Sequence, residues 1–150
     1  NKMNFEPVFT KKIPGAPNTG TIRQYLSDLK AKRRLDFAKD ATYVLIFSEQ
    51  NNHGRISPMA SMDELHAKLK QGNASYFFLI HVNSQPFGSY DDKSDVQMIN
   101  DTFKMLKTNQ MDVIFYDYII VSQEGYFLST LSCKDAGFWN ATKKAAPKDD

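Results

Sequence analysis

A chain of 150 residues is long enough for one domain with its own core. Its hydrophobic content of 41% and charged content of 24% match soluble globular proteins, and no run approaches the roughly 18 consecutive apolar residues of a membrane span. The net charge of +2 singles out no class of partner, but residues 1–40 carry +5 and the remainder −3, so a basic segment leads into a mildly acidic body.

Pro7, Pro14, Gly15, Pro17 and Gly20 make residues 1–20 an extended arm, because proline fixes φ and breaks helices. Asn1-Lys2-Met3-Asn4 opens no apolar signal segment and lacks an initiator Met, which suggests a trimmed or processed chain. Thr21 and Gln24 have capping-box spacing and predict a helix start, with Ile22, Tyr25, Leu26 and Leu29 on its inner face. Lys30, Lys32, Arg33 and Arg34 follow in its last turns, where cations offset the negative end of the helix dipole. The same four residues are a candidate phosphate or acidic-partner contact.

Thr42 to Phe47 is β-branched and aromatic, as a buried strand is. Residues 50–54 form a turn, and Pro58 opposes a long strand after it. Ser61 and Glu64 form a second capping box, Met62, Leu65 and Leu69 supply an apolar stripe, and Gly72 ends that helix. Ser75 to Val82 reads as a strand buried on both faces. Asp92 or Ser94 caps a third helix with Val96, Ile99, Phe103 and Leu106 inward. Full burial of Phe103 predicts a cost of about 3–5 kcal/mol for Phe103→Ala. Val113 to Val121 is the next strand, with a break expected near Asp117, and Gln123-Glu124-Gly125 turns it into Tyr126 to Thr130. Phe138 and Trp139 suggest a last helical turn before a mobile tail. The fold expected is a single α/β domain over 21–132, a mixed sheet flanked by helices, between an arm (1–20) and a tail (133–150).

Chemistry-bearing residues gather between Tyr76 and Ser129. An apolar strand ends on His81; Asn83 follows two residues later. Asp91, Asp92 and Asp95 stand where a helix begins, and Asp117-Tyr118 interrupts the next apolar strand. This order resembles the zinc half of a JAB/JAMM (MPN) domain, most closely its RadC branch. That family's pattern is His-x-His, seven residues, then Ser-x-x-Asp, with a glutamate on an earlier strand. The resemblance covers about Asp40 to Ser129, and it implies a three-layer, cytidine-deaminase-like architecture. It also implies two His and one Asp on zinc, with Glu and Ser handling the metal-bound water. Here His81 and Asp95 match the first ligand and the Asp. Asn83 replaces the second His, and a neutral amide is a poor zinc ligand. The loop is one residue longer, Asp92 stands at the Ser position, and Asp117-Tyr118 stands where RadC-type chains carry Asp-His. Asp40 is nearest by position to the upstream glutamate.

Plainer readings stand beside these. A His ending a strand is commonly a hydrogen-bonded structural residue, and carboxylates at a helix start cap it and complement its dipole. The Asp cluster also has the hard oxygens that Ca²⁺ or Mg²⁺ favour. His53, His66 and Asp92 are possible substitutes for the missing ligand. Cys133 is the one cysteine, so no internal disulfide or Cys-built zinc cluster forms, and a reducing, cytoplasmic location is expected.

Three functions compete. The first is a non-catalytic JAB-like scaffold that pairs with a protein partner as a homo- or hetero-dimer, without cofactor; here His81, Asn83 and Asp95 hold no catalytic zinc. The second is a divergent zinc metallohydrolase acting on peptide or isopeptide bonds through His81, Asp95 and a third ligand, with Asp40, Glu49 or Asp92 in the catalytic roles. The third is nucleic-acid binding through Lys30, Lys32, Arg33 and Arg34, which salt would weaken steeply.

Overall fold

The two-faced apolar run around Phe77–Ile80 becomes the central strand of a mixed sheet. A computed structural model describes residues 6–7, 19–31, 38–49, 54–84, 93–122 and 127–129. Within them lie β1 (Glu6–Pro7), α1 (Thr19–Ala31), β2 (Ala41–Phe47), β3 (Arg55–Met59), α2 (Met62–Gln71), β4 (Tyr76–Asn83), α3 (Lys93–Thr108), β5 (Ile114–Ser122) and β6 (Phe127–Ser129). The sheet order is β1-β3-β2-β4-β5-β6. Only β4 and β5 are parallel, and α3 makes the crossover between them, as parallel neighbours require. The other pairs are antiparallel. An α/β domain with a mixed sheet and three helices is what the periodicities predicted. No helix among the described residues is long and apolar enough to cross a membrane.

Alternation along the strands sends side chains to two cores. Phe78, Ile80 and Val82 join Ile22, Tyr25, Leu26 and Leu29 of α1 on one face. Phe77 and Leu79 join Leu65 and Leu69 of α2 and Ile99, Met105 and Leu106 of α3 on the other. Burial on both faces explains why β4 shows almost no polar alternation.

The helix ends follow local chemistry. Ser61 caps α2, its Oγ accepting from Glu64 N at 3.1 Å, while Glu64 Oε1 accepts from Ala60 N at 2.6 Å. This is the predicted capping box, with the reciprocal bond displaced by one residue. Gly72 ends the helix as expected, in a right-handed conformation at φ −79°, and Asn73 takes the left-handed one at φ 51°. Asn73 N donates to Lys70 O and Ala74 N to Leu69 O, which closes the helix. Gly72 serves closeness: a Cβ there would stand 3.1 Å from Lys68 O and 3.3 Å from Ile46 Cγ2.

Four expectations need correction. Helix α1 begins at Thr19, so Thr21 lies inside it, and Gln24 donates to Asp28 Oδ1 at 3.1 Å within the helix. A strand runs through Pro58: β3 pairs with β2, Pro58 opposite Tyr43. Among the described residues β1 pairs with Ile56 and Arg55 of β3, and the Lys68 ammonium donates to Pro58 O. In α3, Phe103 and Val96 are only half-buried, and the inward stripe is Asp95, Ile99, Thr102, Met105 and Leu106. Thr102 is tolerated there because its Oγ1 donates to Met98 O at 2.7 Å. Finally, β4 continues past His81 to Asn83.

Two predictions arise from this packing. Gly54 is buried, and a Cβ on it would come within 2.7 Å of Phe47 Cζ and 2.9 Å of Leu45 Cδ1. Gly54→Ala should therefore cost about 1–3 kcal/mol in urea denaturation, the usual penalty of overpacking. Tyr76 stacks on Phe47 at 4.8 Å, and burial, with Tyr116 nearby, pushes its hydroxyl up to about 12. The folded state keeps that proton where the unfolded chain releases it. Stability should be intact below about pH 10 and fall as pH rises toward 12, with a shallower fall in Tyr76→Phe, read by denaturation at stepped pH.

Candidate functional site

His81 and Asn83 occupy the carboxyl end of β4, where open α/β sheets commonly place ligands. Strand alternation puts both on the α3 face, with Phe77 and Leu79. Asp95 comes from the first turn of α3 and is 1% exposed. His81 Nδ1 stands 2.5 Å from Asp95 Oδ1 and keeps 17% of its side chain exposed. Nδ1 has no hydrogen-bond alignment, so the contact is a close approach rather than a directed bond.

The third member is Tyr118, whose hydroxyl donates to the same Asp95 Oδ1. Its position depends on an irregularity in β5. Phe77 pairs with Phe115, but Phe78 pairs with Asp117, leaving Tyr116 as an extra residue. In a regular strand Phe115 and Tyr118 would face opposite sides. The bulge restores both to the α3 core, while Tyr116 packs on the α1 side. Asp117 is fully buried at the bulge, and its Oδ1 accepts from Tyr118 N at 2.8 Å. The break expected near Asp117 is thus a one-residue bulge. Burial, then the Asp95 charge and hydrogen bond, raise the Tyr118 pKa well above the ordinary tyrosine value, which keeps it a proton donor.

The other candidates scatter. Asp40 lies at the same sheet end, because Ala41 pairs with Val82, but its Oδ1 accepts from Ser84 N at 2.8 Å. Glu49 lies beyond the Phe47–Tyr76 pair, at the opposite end from Thr42–His81. About five residues of strand, roughly 17 Å, separate those ends, so Glu49 cannot serve as a base for His81. His66 is as distant: it lines a recess of about 320 Å³ with Asn73 and Asp112, beside the start of β4 and β5. Lys30 lies in α1 with its side chain outside the described set, and Lys32, Arg33, Arg34, His53, Asp91, Asp92, Cys133, Phe138 and Trp139 are outside the described residues.

Among the described residues, the His81–Asp95 pair as placed does not fit one tetrahedral zinc. Two ligand atoms on one tetrahedral zinc, with bonds of about 2.0–2.1 Å, are about 3.3 Å apart. His81 Nδ1 and Asp95 Oδ1 are closer, at 2.5 Å, and Tyr118 already donates to that oxygen. Asn83 supplies an amide where a third ligand is needed. Among the described residues no three His, Cys, Asp or Glu side chains group as metal ligands. The arrangement holds a buried carboxylate through the Tyr118 hydroxyl, with His81 close beside it.

Sequence reasoning identified His81 and Asp95, and it noted Tyr118 only as a departure from the Asp-His pair. The available signal was Asp117-Tyr118 itself, two polar-bearing residues inside an apolar run. Compared with models of known protein families and with curated proteins, the chain has no significant match to either.

Proposed function

We propose that this chain is a RadC-like JAB/MPN domain that has given up metal chemistry and works as a non-catalytic protein-interaction module. One observation carries the reading: the Asp95 oxygen that would ligate a metal is bonded by the Tyr118 hydroxyl and crowded by His81 Nδ1 at 2.5 Å. The chain order supports it. A histidine lies near the carboxyl end of β4, an aspartate sits in the first turn of α3, and a polar pair lies in β5, close to the places the family gives its ligands and their neighbours. With catalysis set aside, what the family resemblance leaves is a scaffold that pairs with a protein, as a homodimer or with another JAB-type domain.

The test has two arms. Protein purified without a metal-affinity column is assayed for zinc, beside His81→Ala. Its mass is measured by light scattering, alone and mixed with a catalytic JAB-type domain. Less than a tenth of a zinc per chain and a defined dimer, alone or in the mixture, are expected on this reading. One zinc per chain that is lost in His81→Ala sinks the non-catalytic half and favours the hydrolase. A monomer in both solutions sinks the interaction half.

A further inference from the structure

We propose that Tyr118 is the residue that shuts divalent metal out of the His81–Asp95 pair, by occupying the carboxylate as a cation otherwise would. This rests on the degenerate-site reading above but makes a separate claim. Loss of the second histidine is not by itself what closes the site.

A carboxylate as buried as Asp95 needs a donor or a cation to offset its desolvation. Tyr118 supplies the donor. Its ring is 1% exposed within the core of Leu79, Ile99 and Ile120, so close packing denies it another rotamer. Its backbone is fixed by the Tyr116 bulge and by Asp117 Oδ1 on its N–H. A metal approaching Asp95 Oδ1 must therefore share an oxygen already crowded by His81 Nδ1 at 2.5 Å and by a hydroxyl that has nowhere to move. The second oxygen, Oδ2, is buried and has no hydrogen-bond partner among the described residues. Burial closes Oδ2 while Tyr118 holds Oδ1, so removing the hydroxyl frees the oxygen that faces His81.

Zinc affinity, measured by competition with a chromophoric chelator, tests this in wild type, Asn83→His, Tyr118→Phe and the double variant. Phenylalanine keeps the ring and removes only the hydroxyl. Asn83→His alone should bind zinc no better than wild type. The double variant should bind one zinc per chain at least about 10-fold more tightly, the scale on which groups around a metal's ligands act. Equal affinity in Asn83→His and the double variant, with wild type zinc-free, overturns this proposal and leaves the non-catalytic reading standing. Stoichiometric zinc on wild type overturns both. If Asn83→His does not fold, Tyr118→Phe alone decides. A rise of at least about 10-fold over wild type, abolished by adding Asp95→Asn, supports the proposal, and superimposable titrations refute it.

Discussion

Phe78→Ala should lower unfolding free energy by about 3–5 kcal/mol, the range for emptying a fully buried aromatic site. Phe78 is 1% exposed at the middle of β4. Its ring lies 4.9 Å from Tyr116 and 6.0 Å from Phe47, edge to face with the latter, so removal strips contacts from three strands. Collapse cannot refill the space, because β2 and β5 are hydrogen-bonded to β4 on either side. Phe103→Ala should cost less, at most about 2 kcal/mol, since a half-buried ring loses only part of its transfer term. Urea midpoints at constant slope measure both. Equal losses at the two positions would mean that α3 is rotated from the phase described.

That contrast shows what periodicity conveys and what it hides. The inner face of α1 and the two-faced strand at Phe77–Ile80 were legible because their described inward positions are apolar, and in α2 Leu65 and Leu69 carried the pattern although Lys68 is buried beside them. In α3 two inward positions are polar, Asp95 and Thr102. A search for apolar residues at helical steps therefore slid toward Phe103, whose ring does reach Phe115 at 5.1 Å but from the flank of the helix. Strand β3 was hidden for a related reason. Pro58 argues against a strand, yet it pairs opposite Tyr43 within β3.

The site was half legible. His81 and Asp95 stand out as polar residues at element ends, and the structure brings them together from 14 positions apart in the chain. Tyr118 could not be placed, because simple alternation from Phe115 assigns it to the wrong face. The bulge that reverses this is a property of pairing with β4, carried by no single residue type. Glu49 was misplaced because distance along the chain does not tell which end of an antiparallel strand a residue leaves by. Glu49 leaves β2 at the far end, whereas Asp40 enters at the near one.

Asp95→Ala should destabilise the domain by about 2–4 kcal/mol, through the stranded Tyr118 hydroxyl and the lost packing at a closed position. The hydroxyl has no route to solvent, since Tyr118 and Asp95 are each 1% exposed. Asp95→Asn should cost far less, under about 1 kcal/mol, because its carbonyl oxygen still accepts from Tyr118 and an amide replaces the oxygen that lacks a partner. The comparison separates two roles for this residue. If acceptance of the Tyr118 bond is what matters, Asn rescues and Tyr118→Phe resembles the Ala variant in direction. If the negative charge facing His81 at 2.5 Å is what matters, Asn fails as badly as Ala and Tyr118→Phe is mild. A double-mutant cycle on Asp95 and Tyr118 in urea gives the coupling directly. A coupling near zero would remove the hydrogen bond from any account of this site.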